Sequence, residues 1–269
     1  MGDCAAHVVD MGGSGPPLVL IHGILVSSWA WRLNLETLAK HFRVIAICQK
    51  GHGWSDAPRH GSPSGDYSFE GLADFVLRVM GVLGLERVHL CGNSLGGAVC
   101  LRIALDHPDR VDRLVLVDSA GVPFRYVRAL TRWQSALLAP AYRLVGRATV
   151  FKVLLKTTAY RRLAIDEHYM RAFMGPLRRR GRLAAAGAAL GQLHDGSRRI
   201  FSRLPNLKHP TLIIWGRHDL LVPLRAGRLL EAAIPNTRFE LFDDCAHCPM
   251  EEAPARFNRL VLDFLTQGG

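Results

Sequence analysis

Two hydrophobic patterns alternate along the chain. Short runs of strand length, apolar on nearly every residue, occur at 17–21, 43–48, 87–91, 112–118 and 211–215, with a half-apolar run at 238–242. Runs apolar on both sides belong to strands buried on both faces, the mark of a parallel sheet covered by helices. Between them apolar residues recur at helical period, over 28–41, from a Ser68 N-cap to about Gly84, and over 98–105. Strand and helix in alternation predict an α/β fold, a mostly parallel sheet flanked by helices. The alternation stops at 122–209, where helical spacing continues with no clear strand. That stretch predicts an inserted helical unit, with 1–121 and 210–269 forming the core.

The strand at 87–91 runs into Gly92-Asn93-Ser94-Leu95-Gly96-Gly97, and a helix follows at once. Gly-x-Ser-x-Gly in a strand–turn–helix context is the nucleophile elbow, in which the serine is held in a strained turn above the sheet edge. Side chains at 92 or 96 would collide where strand and helix close on each other. A serine hydroxyl is a weak nucleophile at neutral pH. It needs a histidine to take its proton and a carboxylate to orient that histidine.

Composition narrows the setting. At 269 residues, 49% hydrophobic and 21% charged, the chain can bury a full core. No apolar stretch approaches the roughly 20 residues needed to span a bilayer. The start, Met1-Gly2-Asp3-Cys4, lacks the basic and apolar regions of a secretory signal, and six scattered cysteines do not read as a disulfide framework. A cytoplasmic location is expected.

The net charge of +11 is uneven: residues 122–209 carry 18 basic and 3 acidic side chains. Arg125, Arg128 and Arg132 share one helical face, opposite Val127, Leu130 and Leu137; Arg143 pairs in spacing with Arg147, and Lys152 with Lys156. Arg178-Arg179-Arg180-Gly181-Arg182 makes a basic corner before a small-residue run. Such a surface is a solvated face, a contact for anionic membrane, or a dock for an acidic acyl carrier or coenzyme A. Without a recognition motif, no nucleic-acid partner is expected.

His22-Gly23, Gly51-x-Gly53-x-Ser55, Gly92-x-Ser94-x-Gly96-Gly97, Trp215-Gly216-x-x-Asp219 and Ala246-His247-x-Pro249-x-x-Glu252-x-Pro254 occur in order. In these five motifs the chain resembles the α/β-hydrolase superfamily. The resemblance implies Ser94 as nucleophile, His247 as base and Asp219 as acid, with Asp118 the rival for that last role. It implies an oxyanion hole from the N–H groups of Ile24 and Leu95, a structural His22, and a helical cap at 122–209. No cofactor is implied, and Cys245 and Cys248 lack a second pair to make a metal site. Cys48 stands where relatives usually carry an aspartate, which puts the local turn in question.

The apolar neighbourhood, with Leu25, Trp29, Asn93 and Val222 as pocket candidates, points to a small-molecule carboxylic ester or thioester with an apolar acyl group. Two alternatives stay open. Relatives that hydrolyse C–C bonds of ring-fission products share Asn93, but carry a glycine-rich loop where this chain has Ile24-Leu25-Val26, and a Trp where it has Cys248. Other relatives are ligand receptors with an intact triad.

Overall fold

The computed structural model describes residues 4–123 and 147–266. The expectations for Arg125, Arg128, Arg132, Arg143, Val127, Leu130 and Leu137 lie outside the described residues.

Seven strands form one sheet: β1 (Val8–Asp10), β2 (Pro17–Ile21), β3 (Arg43–Ile47), β4 (Val88–Asn93), β5 (Val111–Val117), β6 (Thr211–Gly216) and β7 (Thr237–Phe242). Their order is β1-β3-β2-β4-β5-β6-β7, and every pairing is parallel except β1 with β3. The expected mostly parallel sheet is therefore present. β1 was not foreseen, because three residues, two half-buried and one exposed, are too few to show a period. All six residues of β4 and of β6 are buried, which accounts for the apolar runs Leu90-Cys91 and Leu212 to Trp215 at their centres.

From β2 the chain goes outward to β3 on one side, then returns to β4 on the other. The loops leaving β2 and β4 therefore part in opposite directions, and a crevice opens between them at the carboxyl edge. The parallel register sets Ile21 beside Gly92, and Asn93 beside Val117. His22, Ser94 and Asp118, each next after its strand, thus arrive at one edge.

Helices α1 (Leu35–Ala39), α2 (Phe69–Val82) and α3 (Leu95–Asp106) belong to the first half of the core. Ser68 caps α2 as expected, its Oγ accepting from the Gly71 N–H at 3.1 Å. Between β5 and β6 lie α4 (Arg147–Leu154), a π-helical turn at Leu155–Ala159, α5 (Glu167–Leu177) and α6 (Arg182–Phe201). The small-residue run lies in α6. Ala185 and Ala189 are buried there, and a Cβ on Gly51 would come within 2.6 Å of Ala185, so the bare backbone of Gly51 leaves the room that Ala185 fills. After β6 come α7 (Leu224–Ala233), α8 (Pro249–Glu252) and α9 (Pro254–Thr266). Among the described residues no helix is long and apolar enough to cross a membrane.

The elbow is tied on both sides of Ser94. Its N–H donates to the Val117 carbonyl at 2.9 Å, and its carbonyl accepts from Ala120 N–H at 2.9 Å. These bonds hold Ser94 at φ 56°, a left-handed conformation that costs a β-carbon residue about 1–3 kcal/mol. A Cβ on Gly92 would strike the Gly96 carbonyl, and one on Gly96 would strike the Ile21 carbonyl. Backbone on both sides leaves nothing that can yield. Gly96→Ala is expected to lower unfolding stability in urea by about 3 kcal/mol; a loss below about 1 kcal/mol would show that the elbow can open to admit a methyl group.

Candidate active site

Three loops at the carboxyl edge bring the chemistry together: the elbow after β4, the turn after β6 and the loop after β7. His247 Nδ1 lies 2.7 Å from Asp219 Oδ2. An ionised carboxylate only accepts, so Nδ1 carries the proton and Nε2 is free to receive another. Asp219 Oδ1 accepts from the N–H groups of Leu221 (2.8 Å) and Val222 (2.9 Å), which fixes the carboxylate that fixes the ring. Ser94, Asp219 and His247 are all buried, so these charge-assisted bonds act at low dielectric.

The backbone around His247 is held from several directions. Its carbonyl accepts from Asn93 Nδ2 at 3.1 Å, and its N–H donates to Ala159 at 3.0 Å. Glu252 Oε1 accepts from Ala246 N–H at 2.8 Å, while its Oε2 accepts from Arg161 and Arg162 N–H at 2.7 and 3.0 Å. The histidine loop is thereby pinned to the residue before Ser94 and to the helical segment between β5 and β6. Glu252 was visible in sequence only as part of a motif, without this role.

Asp118 completes the acid side differently. It is fully buried at φ 43°, and its Oδ1 accepts from Gly216 N–H at 2.9 Å. Burial first, and the Asp219 carboxylate second, push its pKa well above the usual carboxylate range. Asp118 therefore braces the ends of β5 and β6 with its charged form disfavoured, and the carboxylate bonded to His247 is that of Asp219. Oxygen and nitrogen atoms of Asp118, Asp219 and His247 lie within 4.8 Å of one another, a grouping that could suggest a metal. The 2.7 Å contact is a hydrogen bond, shorter than the ~3.3 Å between two ligands of a tetrahedral ion at about 2 Å each.

His22 is structural, as expected. Its Nδ1 donates to Gly23 O (2.6 Å) and its Nε2 accepts from Gln49 N–H (3.0 Å), while Gln49 Nε2 donates to His22 O (2.6 Å). Burial pushes its pKa down to about 4, so the ring stays neutral and clamps the loop leading to Ile24. At the departure in sequence, the Cys48 thiol accepts from Ser28 N–H at 3.4 Å and donates to Ser28 Oγ at 3.3 Å. The turn keeps a side-chain bond without the aspartate.

Beneath Ser94 and His247 lies a cavity of about 270 Å³. Ile24 and Leu95, the expected oxyanion residues, line it beside Ser94, and so do Leu25, Asn93 and Val222. Trp29 does not. Its ring is covered instead by the Arg32 guanidinium at 3.7 Å and meets Tyr169 edge-on at 5.1 Å, so Trp29, contrary to expectation, is not a pocket residue. Much of the apolar wall comes from the segment whose specificity sequence reading left open, with Phe151, Leu155, Phe173 and Leu193 contributing. His194 and Ser197 of α6 add polar atoms that no motif announced. On another wall Glu251 pairs with Arg32 and accepts from Tyr160 Oη at 2.6 Å. Among the described residues no Lys or Arg lines this cavity.

The profile of the alpha/beta hydrolase fold family matches residues 16–254. The chain belongs to that family. It is 34% identical over 268 residues to the 2-hydroxymuconate semialdehyde hydrolase of Pseudomonas sp. strain CF600, covering 95% of this chain and 88% of the relative. In structure it is similar to a meta-cleavage product hydrolase from Pseudomonas fluorescens, with a TM-score of 0.81, 29% identity and coverage of 99% and 95% of the two chains. It is also similar to an enol-lactonase from Burkholderia xenovorans, with a TM-score of 0.80, 25% identity and coverage of 97% and 96%. This α/β-hydrolase is an enzyme of the hydrolase class.

The two aspartates make opposite predictions. A folded pKa raised above the unfolded one means Asp118 costs stability above the unfolded value, and that cost disappears as pH falls to about 4. Asp118→Asn should therefore unfold at higher urea than the wild type near pH 8, lose that advantage near pH 4, and keep kcat within about tenfold. Asp219→Asn should lower kcat by about 10⁴-fold. Exchange of these two outcomes would make Asp118 the acid.

Proposed function

We propose that Ser94 attacks a substrate carbonyl while His247, oriented by Asp219, takes its proton, and that the N–H groups of Ile24 and Leu95 bind the resulting oxyanion. Leu95 opens α3, where an N–H without an intrahelical partner and the helix dipole both favour negative charge. Each such donor contributes about 3–4 kcal/mol in the transition state. Residues 122–209 act in this reading as the lid, since their described part supplies much of the cavity wall.

The substrate we propose is a ring-fission product, hydrolysed at the C–C bond beside its ketone. What carries this choice over the ester expected from sequence is the near full-length similarity to hydrolases named for such compounds. The arrangement suits the chemistry. Ser94 Oγ adds to the ketone, and the C–C bond breaks with its electron pair delocalising into the conjugated 2-oxo acid. The departing carbon takes the proton held on His247. Water, deprotonated by His247, then releases the acyl group as a carboxylic acid. An apolar cavity of about 150 Å³ already takes a benzene-sized guest. The 270 Å³ here suits a small alkyl or single-ring acyl end.

One observation favours an ester or thioester as the second reading. The names of the ring-fission relatives' substrates specify carboxylates, such as a heptadienoate, whereas no Lys or Arg lines the cavity among the described residues. Ile24-Leu25-Val26 and Cys248 also stand where the C–C branch is expected to differ.

Direct competition separates the readings. Purified enzyme is assayed with 2-hydroxy-6-oxohepta-2,4-dienoate, followed by loss of its absorbance, and with p-nitrophenyl esters of increasing chain length. The expected result is a kcat/KM for the dienoate at least about 100-fold above the best ester, with Ser94→Ala losing about 10⁴-fold or more on both. The reverse order of substrates would place the ester reading first.

A further inference from the structure

A second cleft, distinct from the catalytic cavity, is lined by Asp56, Ala57 and Pro58 on one side and by Arg179, Arg180 and Arg182 on the other. We propose that it binds a phosphate-class anion, held by the three guanidinium groups at the start of α6.

Arg182 carries the argument. It is only 3% exposed, and its Nε is buried with no hydrogen-bond partner. Buried guanidinium groups are almost always paired, because an unpaired cation loses its hydration without compensation. The nearby acid does not supply the missing bond: Asp56 Oδ2 accepts from Ala5 N–H at 2.9 Å. Arg179 is pre-positioned, with Nη1 donating to Trp54 O at 2.8 Å and its guanidinium 5.7 Å from the Trp54 ring centre. Arg180 is exposed on the same rim.

The backbone adds to this. α6 is 20 residues long and follows Gly181, its N-cap at φ 84°, with no side-chain cap; the Arg182 N–H donates to the Arg179 carbonyl at 3.5 Å, and the dipole at this end of the helix favours an anion. The walls are fixed by packing: a Cβ on Gly181 would sit 3.2 Å from Ala57 Cβ. Three arginines against one aspartate leave two net positive charges. One carboxylate would satisfy a single guanidinium fork. A phosphate dianion offers enough charge and acceptor oxygens for all three.

The site is separate from catalysis but mechanically joined to it. Leu190, the first α6 residue in the catalytic cavity wall, lies eight residues on from Arg182, about 12 Å along the axis. A bound anion would pin the start of the helix whose later turns shape that cavity. The phosphate can belong to a soluble compound or to a lipid headgroup. Trp54 (48% exposed) and Leu183 (42%) flank the arginines and would suit the second source.

The test is the melting temperature of the full-length protein titrated with inorganic phosphate, against sodium chloride at matched ionic strength. The wild type and Ser94→Ala should both show a saturable rise of about 2–4 °C, which separates this site from the triad. The exposed Arg180→Gln should lose at least half of that rise and Arg182→Gln all of it. Should Arg182→Gln not fold, Arg180→Gln decides. A parallel arm sediments the protein with phosphatidylcholine vesicles, with and without phosphatidic acid. Binding only to the acidic vesicles, lost in Arg180→Gln, assigns the phosphate to lipid; a phosphate-induced rise without vesicle binding assigns it to a soluble compound. No rise beyond chloride together with no Arg180-dependent vesicle binding, or an equal rise in all variants, overturns the site.

Discussion

The structure depends on one strained backbone position. Ser94 is held at φ 56° because its N–H and carbonyl are both bonded to the chain leaving β5, and because Gly92, Gly96 and Gly97 let strand, helix and neighbouring loop close around it. Among the described residues the non-glycine positions with positive φ are Leu25, Ser94 and Asp118, all beside the same sheet edge. Strain gathered at one place, and held by the hydrogen bonds around it, is what pre-organisation looks like in a backbone. The cavity, with Ile24 and Leu95 in its wall, and the pair Asp219–His247 are arranged around this point.

The base is placed by a second set of ties. Asn93 adjoins Ser94 in sequence and bonds the His247 carbonyl, so Ser94 and His247 share a support. Ala159 and Glu252 couple the same loop to the segment between β5 and β6, so the segment that supplies much of the apolar cavity wall also helps to position His247. The buried acids divide the work. Asp219 is hydrogen-bonded by two backbone amides, while Asp118, its charged form disfavoured by burial and by the Asp219 carboxylate, braces the sheet edge through Gly216 N–H.

Much of this was legible in the sequence because it is local. Glycine spacing around Ser94, apolar runs ending in His22, Asp118 and Gly216, and the Ser68 cap are properties of a few adjacent residues. What was hidden depends on packing between distant segments. Trp29 reads as a pocket residue until Arg32 and Tyr169 are seen to enclose it. His194 and Ser197 read as helix-face positions until α6 is laid over Ser94. Arg182 reads as one more surface charge in a basic corner, yet folding buries it. Substrate choice belongs to this second kind, because the cavity wall is assembled from segments far apart in sequence.

The central claim is that the buried Asp219–His247 pair activates Ser94. Intact-mass spectrometry of the protein exposed to a fluorophosphonate tests it directly, because the reagent reacts with an activated serine whatever the natural substrate. One adduct per chain, mapped to Ser94 and formed about 10³-fold more slowly in His247→Gln, is the predicted result. A folded wild type that forms no adduct, or a His247→Gln variant that labels at the wild-type rate, would contradict it.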